Sequence, residues 1–448
     1  MSSIREFSKR EKPEDYYLRL VEELKKLNNS LNAFSVINEG LSSGMPFSVK
    51  DNICVEGIET TASSKVLKGY IPPFSATAVE RMLASGFGFL GKTNMDEFGF
   101  GTFGLNSEKE ARNPFDEKYV AGGSSSGAAI ATSILRYHIA IAESTGGSIA
   151  APAAFCGVVG FTPTYGVVSR YGLIDYANSL DKIGIVARSA EDIEETLEII
   201  KGRDRYDTTC TGRALGREPR KRIFIIKELM EGVDESIKSH FTGFAERLKG
   251  MGYAVEERSV SGMEKAIAAY YVIAMAEAST NLAKYTGYKY GLKNEKYSEH
   301  YNEFFTNARE HFGIEAKRRI ILGTFIRSAS VRDRYYYKAL RLRAELLARM
   351  EPLLEEGFVL APVMPIKVPK IDEAKGLSPL EMYKADMLTI PPNLAGLPHV
   401  SFPYAYIGGM PLGAQLMTSH FNDYSILGVV KEWERVFTYR FRYNIGSL

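Results

Sequence analysis

Apolar residues recur at helical spacing behind Pro13: Tyr17, Leu20, Val21, Leu24 and Leu27 fall on one face. That pattern predicts an amphipathic helix with a proline near its first turn. Residues 46–49 form a short apolar run closed by Lys50, the pattern of a strand. Ser75 stands where it can cap a helix reaching Ser85, and 87–90 then reads as a strand. After Gly122 and Gly123, residues 126–135 are small and apolar, which predicts a tightly packed buried helix, and 139–142 follow as a buried strand. Ser189 with Asp192 three positions on has capping-box spacing, and the helix it opens is expected to stop near Gly202.

The polar, turn-rich stretch 203–221 is the best candidate for a connection or insertion. Beyond it the pattern gives strand 223–226, helix 235–249, strand 254–260, helix from about 262 to 284, mostly helix over 310–350, and short strands at 359–361 and 400–402. Strands alternating with helices argue for an α/β fold around a mixed, largely buried sheet. No internal repeat or low-complexity tract interrupts it.

Composition narrows the function classes. The 448 residues are 45% hydrophobic and 25% charged, enough for a sizeable core. A net charge of +2 gives no general signal for binding polyanions. Cys54, Cys156 and Cys210 are odd in number and widely spaced, and six scattered histidines lack any metal-ligand spacing, so neither a disulfide framework nor a metal site is expected. The charged N-terminus lacks the apolar core of a signal peptide, and no apolar run approaches the ~18 residues of a membrane span. A cytoplasmic protein is expected.

Three polar positions sit in apolar or glycine-rich frames. Lys50 closes its apolar strand, where burial would favour a neutral amine able to act as a base; the alternative is an ion pair with the adjacent Asp51. The loop 122–127, Gly-Gly-Ser-Ser-Ser-Gly, leads into a helix and invites an anion-binding reading, but it has neither the Walker lysine nor GxGxxG spacing, which leaves a plain helix start. The stretch ESTGGSIAAP at 143–152 places Ser148 on a sharp turn between a strand and a helix, the logic of a nucleophile elbow without its G-x-S-x-G spacing. No histidine lies near it. A serine nucleophile there needs another base, and lysine is the substitute in Ser-Lys variants.

Together, Lys50 at its strand end, the serine-rich loop holding Ser124, and TGGSI with Ser148 resemble the amidase signature family, whose motif runs on through PAAFCGVVGFTPTYGVVSRYG at 152–172. Within it, GKTNMDEFGFG (91–101), ARNPFD (111–116), SLDKIGIVARS (179–189), GRDRYDTT (202–209), EAKRRIILGTF (315–325) and YKADMLTIPPNLAGLP (383–398) are similar to the A subunits of glutamyl-tRNA(Gln) amidotransferases. The similarity is weakest at about 1–40 and in the connecting loops.

The resemblance implies one domain over 1–448, with a helical N-terminal part at about 1–45 and roughly eleven strands in a mixed sheet covered by helices on both faces. It implies a Ser-cisSer-Lys triad: Lys50 the unprotonated base, Ser124 the bridge, Ser148 the nucleophile. Backbone N–H groups of Thr145, Gly146, Gly147 and Ser148 would face the oxyanion, where one donor is worth on the order of 10²–10³ in rate. Ser125 is read as structural. Tyr270, Arg319 and Asp386 fall at substrate-contacting positions, an arginine and an aspartate being complementary to the carboxylate and ammonium of free glutamine. Arg318 and Arg319 differ by about 100° around a helix, so only one points inward, and Arg319 is the choice. The implied function is a glutaminase that supplies ammonia for amidating Glu-tRNA(Gln) or Asp-tRNA(Asn). No cofactor or metal is implied in this chain; a partner B subunit would use ATP and Mg²⁺ and contact the misacylated tRNA, with a small C subunit wrapping the contact. The rivals are a free-standing amidase and a non-catalytic assembly subunit.

One stretch departs from the family. Where it commonly has SDTGGSIRQP, this chain has ESTGGSIAAP. Ser144 replaces an aspartate, and Ala150 and Ala151 replace Arg-Gln. The lost aspartate and arginine are read as a charge pair replaced together, so an arginine restored alone at Ala150 is expected to be harmful.

Overall fold

Residues 3–10, 15–40, 42–292 and 300–447 are described by a computed structural model of the chain. Pro13, expected near the start of the first amphipathic helix, lies outside them; that helix spans Tyr16–Leu31 and buries Tyr17, Leu20, Val21 and Leu24 as its periodicity predicts.

The strands, in chain order, are β1 (Phe34–Ile37), β2 (Pro46–Lys50), β3 (Gly88–Thr93), β4 (Ile139–Ser144), β5 (Val159–Thr162), β6 (Lys182–Ala187), β7 (Arg222–Ile226), β8 (Ala254–Arg258), β9 (Phe358–Pro362), β10 (His399–Ile407) and β11 (Met410–Met417). They form one 11-stranded sheet in the order β1-β3-β2-β4-β6-β5-β10-β11-β9-β7-β8. It is mixed, as expected. β2 runs parallel to both β3 and β4, and β7 to both β8 and β9, while β4–β6 and β10–β11 are antiparallel. Every residue of β2, β3, β4, β6 and β9 is buried, so both faces of the middle of the sheet are covered. The outermost strand β8 is different, with the half-wet sequence AVEER.

Other expectations shift by a residue or two. The helix after Ser75 spans Thr77–Ala84, and Ser75 does not cap it; its hydroxyl accepts from the Glu56 N–H instead. Ser189 does cap Ala190–Ile200 through the Asp192 N–H. No helix or strand lies within 203–221. β1, β5, β6 and β11 escape the periodicity reading because strands buried on both faces show no polar–apolar alternation, and β1 is only four residues long.

Two features position the polar residues at the strand ends. The helix Ser126–Ile134, of sequence SGAAIATSI, is buried at every residue, and its small side chains bring the serine loop against the sheet. The helices Ala266–Asn281 and Ile314–Arg327 pack on each other over the same end of the sheet, where Gly323 lies flush on the Met275 carbonyl. Among the described residues, no helix is long and apolar enough to cross a membrane.

Candidate active site

Lys50 is the last residue of β2, level with Thr93 of β3, while Val49 is level with Ile141 of β4. Its side chain is 0% exposed and points to the carboxyl ends of these parallel strands, where open sheets commonly place ligands. Three acceptors surround Nζ: Ser124 Oγ at 2.8 Å, Glu143 O at 2.9 Å and Glu143 Oε2 at 2.8 Å. Asn52 Nδ2 also donates to Glu143 Oε2, at 3.1 Å. The ion pair weighed for Lys50 in the sequence exists, with a different partner. Asp51 turns away, toward a second buried lysine, Lys92, at 3.8 Å.

Ser124 follows a cis Gly123–Ser124 peptide bond. A Cβ at Gly123 would lie 2.0 Å from Asp96 Oδ2, so only glycine fits beside this buried carboxyl, which burial raises to about 6. Ser125 ties the loop down: its hydroxyl donates to Glu143 O and its N–H to Ser148 O, both at 3.0 Å.

Beyond Glu143 and Ser144 the chain turns sharply into the helix Ala150–Cys156. Gly147 has φ +138, and a Cβ there would strike Thr389 Oγ1 at 2.2 Å. The N–H groups of Thr145, Gly146 and Ser148 meet no acceptor among the described residues, leaving them free for an oxyanion. Gly147 departs from the expectation. Its N–H goes to Ser144 Oγ at 3.2 Å, the hydroxyl that stands in the place of the family's aspartate. Ser148 is 8% exposed, and its hydroxyl has no hydrogen-bond partner among the described residues. Catalytic hydrogen bonds are commonly loose like this before substrate binds.

Ser148 opens on a small cavity, lined also by Gly146, Gly147, Tyr270, Arg319 and Asp386. Of the two adjacent arginines, the Arg319 side chain is 5% exposed and Arg318 31%, so Arg319 is the inward one. Its Nε donates to Glu315 Oε1 at 2.9 Å, Nη1 donates to the Tyr176 hydroxyl, and its guanidinium lies 4.8 Å from the Phe100 ring centre. Asp386 accepts from Thr102 Oγ1 at 2.9 Å and Tyr271 OH at 2.8 Å; burial pushes it up to about 7 against these hydrogen bonds. Tyr270 is buried against Gly146.

The structure thus gathers Ser148, Tyr270, Arg319 and Asp386 around one cavity, and Lys50 and Ser124 form a separate buried contact. Sequence reasoning missed Glu143, Thr102, Tyr176, Tyr271 and Glu315. Glu143 carried a visible signal as the first residue of ESTGGSIAAP, where the family pattern has a serine. Tyr271 adjoins Tyr270 and Glu315 lies one turn before Arg319 on the same helix, while Thr102 and Tyr176 arrive from distant segments.

Comparison with known proteins agrees with this geometry. The amidase family profile matches residues 21–427. A glutamyl-tRNA(Gln) amidotransferase A subunit from Symbiobacterium thermophilum is 42% identical over 428 residues, covering 93% of this chain and 87% of its own length. That of Haloarcula marismortui is 44% identical over 405 residues, 87% of this chain and 95% of its own. The crystal structure of the Thermotoga maritima A subunit superposes with a TM-score of 0.83 at 33% identity, covering 97% of this chain and 94% of its own. A 6-aminohexanoate cyclic dimer hydrolase shares the fold at TM-score 0.83 and 21% identity. With most of its length matched, the chain belongs to the amidase signature family.

Proposed function

We infer that this chain is the glutamine-hydrolysing A subunit of a tRNA-dependent amidotransferase. The supporting observation is that Ser148 shares one small cavity with an inward arginine and an aspartate, in a chain that also holds a buried Lys50–Ser124 contact. Ser148 attacks the side-chain amide of glutamine as Ser124 takes its proton. The free N–H groups of Thr145, Gly146 and Ser148 stabilise the oxyanion, and a glutamyl ester forms as ammonia leaves. Arg319 holds the α-carboxylate and Asp386 the α-ammonium. Water then cleaves the ester by the same route.

The ammonia passes to a partner B subunit, which activates the glutamate of Glu-tRNA(Gln) with ATP and Mg²⁺, and a small C subunit joins the two in a cytoplasmic heterotrimer. The near-neutral charge of +2 fits a subunit that leaves the tRNA to its partner. A free-standing amidase for uncharged amides is disfavoured by the charged pair, Arg319 and Asp386, that lines the cavity. In the assembled complex, Ser148→Ala is expected to abolish glutamine-dependent amidation and to leave ammonia-dependent amidation intact. Loss of both in a complex that still assembles would overturn the assignment.

A further inference from the structure

The turn that offers its N–H groups to an oxyanion is built from two adjacent glycines, Gly146 and Gly147, between Thr145 and Ser148. Glycine has no Cβ to favour one backbone conformation, so contacts from outside the turn must aim these groups. Each peptide plane is rigid, and the Gly146–Gly147 plane stands between the two that carry the free Gly146 and Ser148 N–H groups. Both of its ends are held. The Gly146 carbonyl accepts from Thr389 Oγ1 at 2.8 Å, and the Gly147 N–H donates to Ser144 Oγ at 3.2 Å. The next plane is fixed as well, since the Gly147 carbonyl accepts from the Ala151 N–H at 2.9 Å.

Both holds come from one helical turn. Thr389 precedes the short helix Ile390–Leu394, and Asn393 lies four residues further on, the spacing that sets two side chains on one face. Thr389 reaches the carbonyl end directly. Asn393 reaches the N–H end through Ser144, whose hydroxyl donates to Asn393 Oδ1 at 3.3 Å, and Asn393 Nδ2 donates to the Thr389 carbonyl at 2.9 Å. The Thr389 hydroxyl has a second acceptor in reach, the Asp386 carbonyl at 3.1 Å; the contact to Gly146 is the shorter. Thr389, Asn393 and Ser144 are each 0% exposed, so bulk water does not compete for these contacts.

We propose that Thr389 is a positioning residue for the oxyanion site: with Ser144 and Asn393 it clamps the Gly146–Gly147 peptide, so that the flanking Gly146 and Ser148 N–H groups stay aimed at the developing charge. Thr389 acts through the backbone and not on the reacting atoms. Its place three residues after Asp386 joins two tasks in one short segment, the carboxylate assigned to the α-ammonium and the brace of the turn. The serine found where the family has an aspartate is the N–H side of that brace. The proposal rests on the reading of Ser148 as nucleophile.

The test pairs two rates. One is labelling of Ser148 by a small fluorophosphonate in the full-length chain, whose phosphoryl oxygen draws on the same donors and needs no amino-acid recognition. The other is glutamine hydrolysis by the assembled complex. Thr389→Val keeps the shape and removes the hydroxyl, Thr389→Ser keeps the hydroxyl, and Ser144→Ala releases the other end should the valine variant fold poorly. Loss of a direct oxyanion donor costs on the order of 10²–10³ in rate, and loss of aim should cost less, on the order of 10-fold. The expected result for Thr389→Val and for Ser144→Ala is that slowing in both labelling and kcat, with KM held within about twofold and Thr389→Ser close to the unmodified chain. Unmodified rates in either folded variant, a serine variant as slow as the valine one, or a raised KM with kcat intact would overturn the proposal. A chain that labels as expected but never hydrolyses glutamine, alone or assembled, would sink the functional reading and leave the clamp standing.

Discussion

Two lysines, Lys50 and Lys92, lie side by side at the carboxyl ends of β2 and β3, each 0% exposed and each with a carboxylate nearby. Their surroundings separate them. Lys50 is fully matched by three acceptors, one of which is the Ser124 hydroxyl. Lys92 donates to the Ile53 carbonyl and to Thr60 Oγ1 at 3.0 Å, and its carboxylate neighbour stands off at 3.8 Å. Burial brings Lys92 down to about 8 and raises Asp51, both moving toward their neutral forms. Burial of a lysine is thus no sign of catalysis. What marks Lys50 is its contact with the Ser124 hydroxyl, in the loop whose Ser125 N–H donates to the Ser148 carbonyl.

Substituting both lysines alike breaks the comparison most directly. Lys50→Met should lower the rate of Ser148 labelling on the order of 10³-fold while the chain stays folded. Lys92→Met should keep the labelling rate per folded molecule and lose stability on the order of 3 kcal/mol, because Asp51 is left buried without its cation. Denaturant titration alongside labelling measures both; a Lys92 variant that is stable but inactive would erase the distinction.

A third buried cation, placed where no acceptor waits, sharpens it. Ala150 is 1% exposed in a small apolar cluster with Ala151, Ala154, Phe155 and Val363. Ala150→Arg should therefore destabilise the chain by roughly 2–4 kcal/mol, read as a lower midpoint in urea. A variant as stable as the parent would show that Ser144 and its surroundings can still receive an arginine.

The smallest effect concerns Asp386 and substrate binding. Raised to about 7 by burial, Asp386 is largely protonated below that pH and cannot pair with an α-ammonium. KM for glutamine should rise roughly tenfold per unit as pH falls below about 7. A KM flat from pH 5.5 to 8 would remove Asp386 from ammonium recognition.

Much of the site was legible in the residues. Lys50 at the end of an apolar run, the serine loop before a helix of small residues, and the Gly-Gly turn at Ser148 all carry local signals, because glycine and small side chains are required where backbone meets backbone. Helix geometry allowed only one of Arg318 and Arg319 to point inward, and the family resemblance chose Arg319. Glu143 was overlooked although it stood in plain view, since a carboxylate at a strand end reads as an exposed charge until β2 is known to lie beside β4. Glu315 is on the same helix as Arg319, but its role depends on which face is buried. Thr102 and Tyr176 could not be placed at all, being brought in by pairings far apart in the chain that no period in one sequence encodes.

At the far edge of the sheet, β8 presents Glu256 between Arg222 and Arg258, bonded to both and to Arg222 at 3.0 Å. An edge strand studded with paired charges makes a poor template for another strand. A complex that leaves this edge unpaired can form or fall apart without extending the backbone ladder at β8.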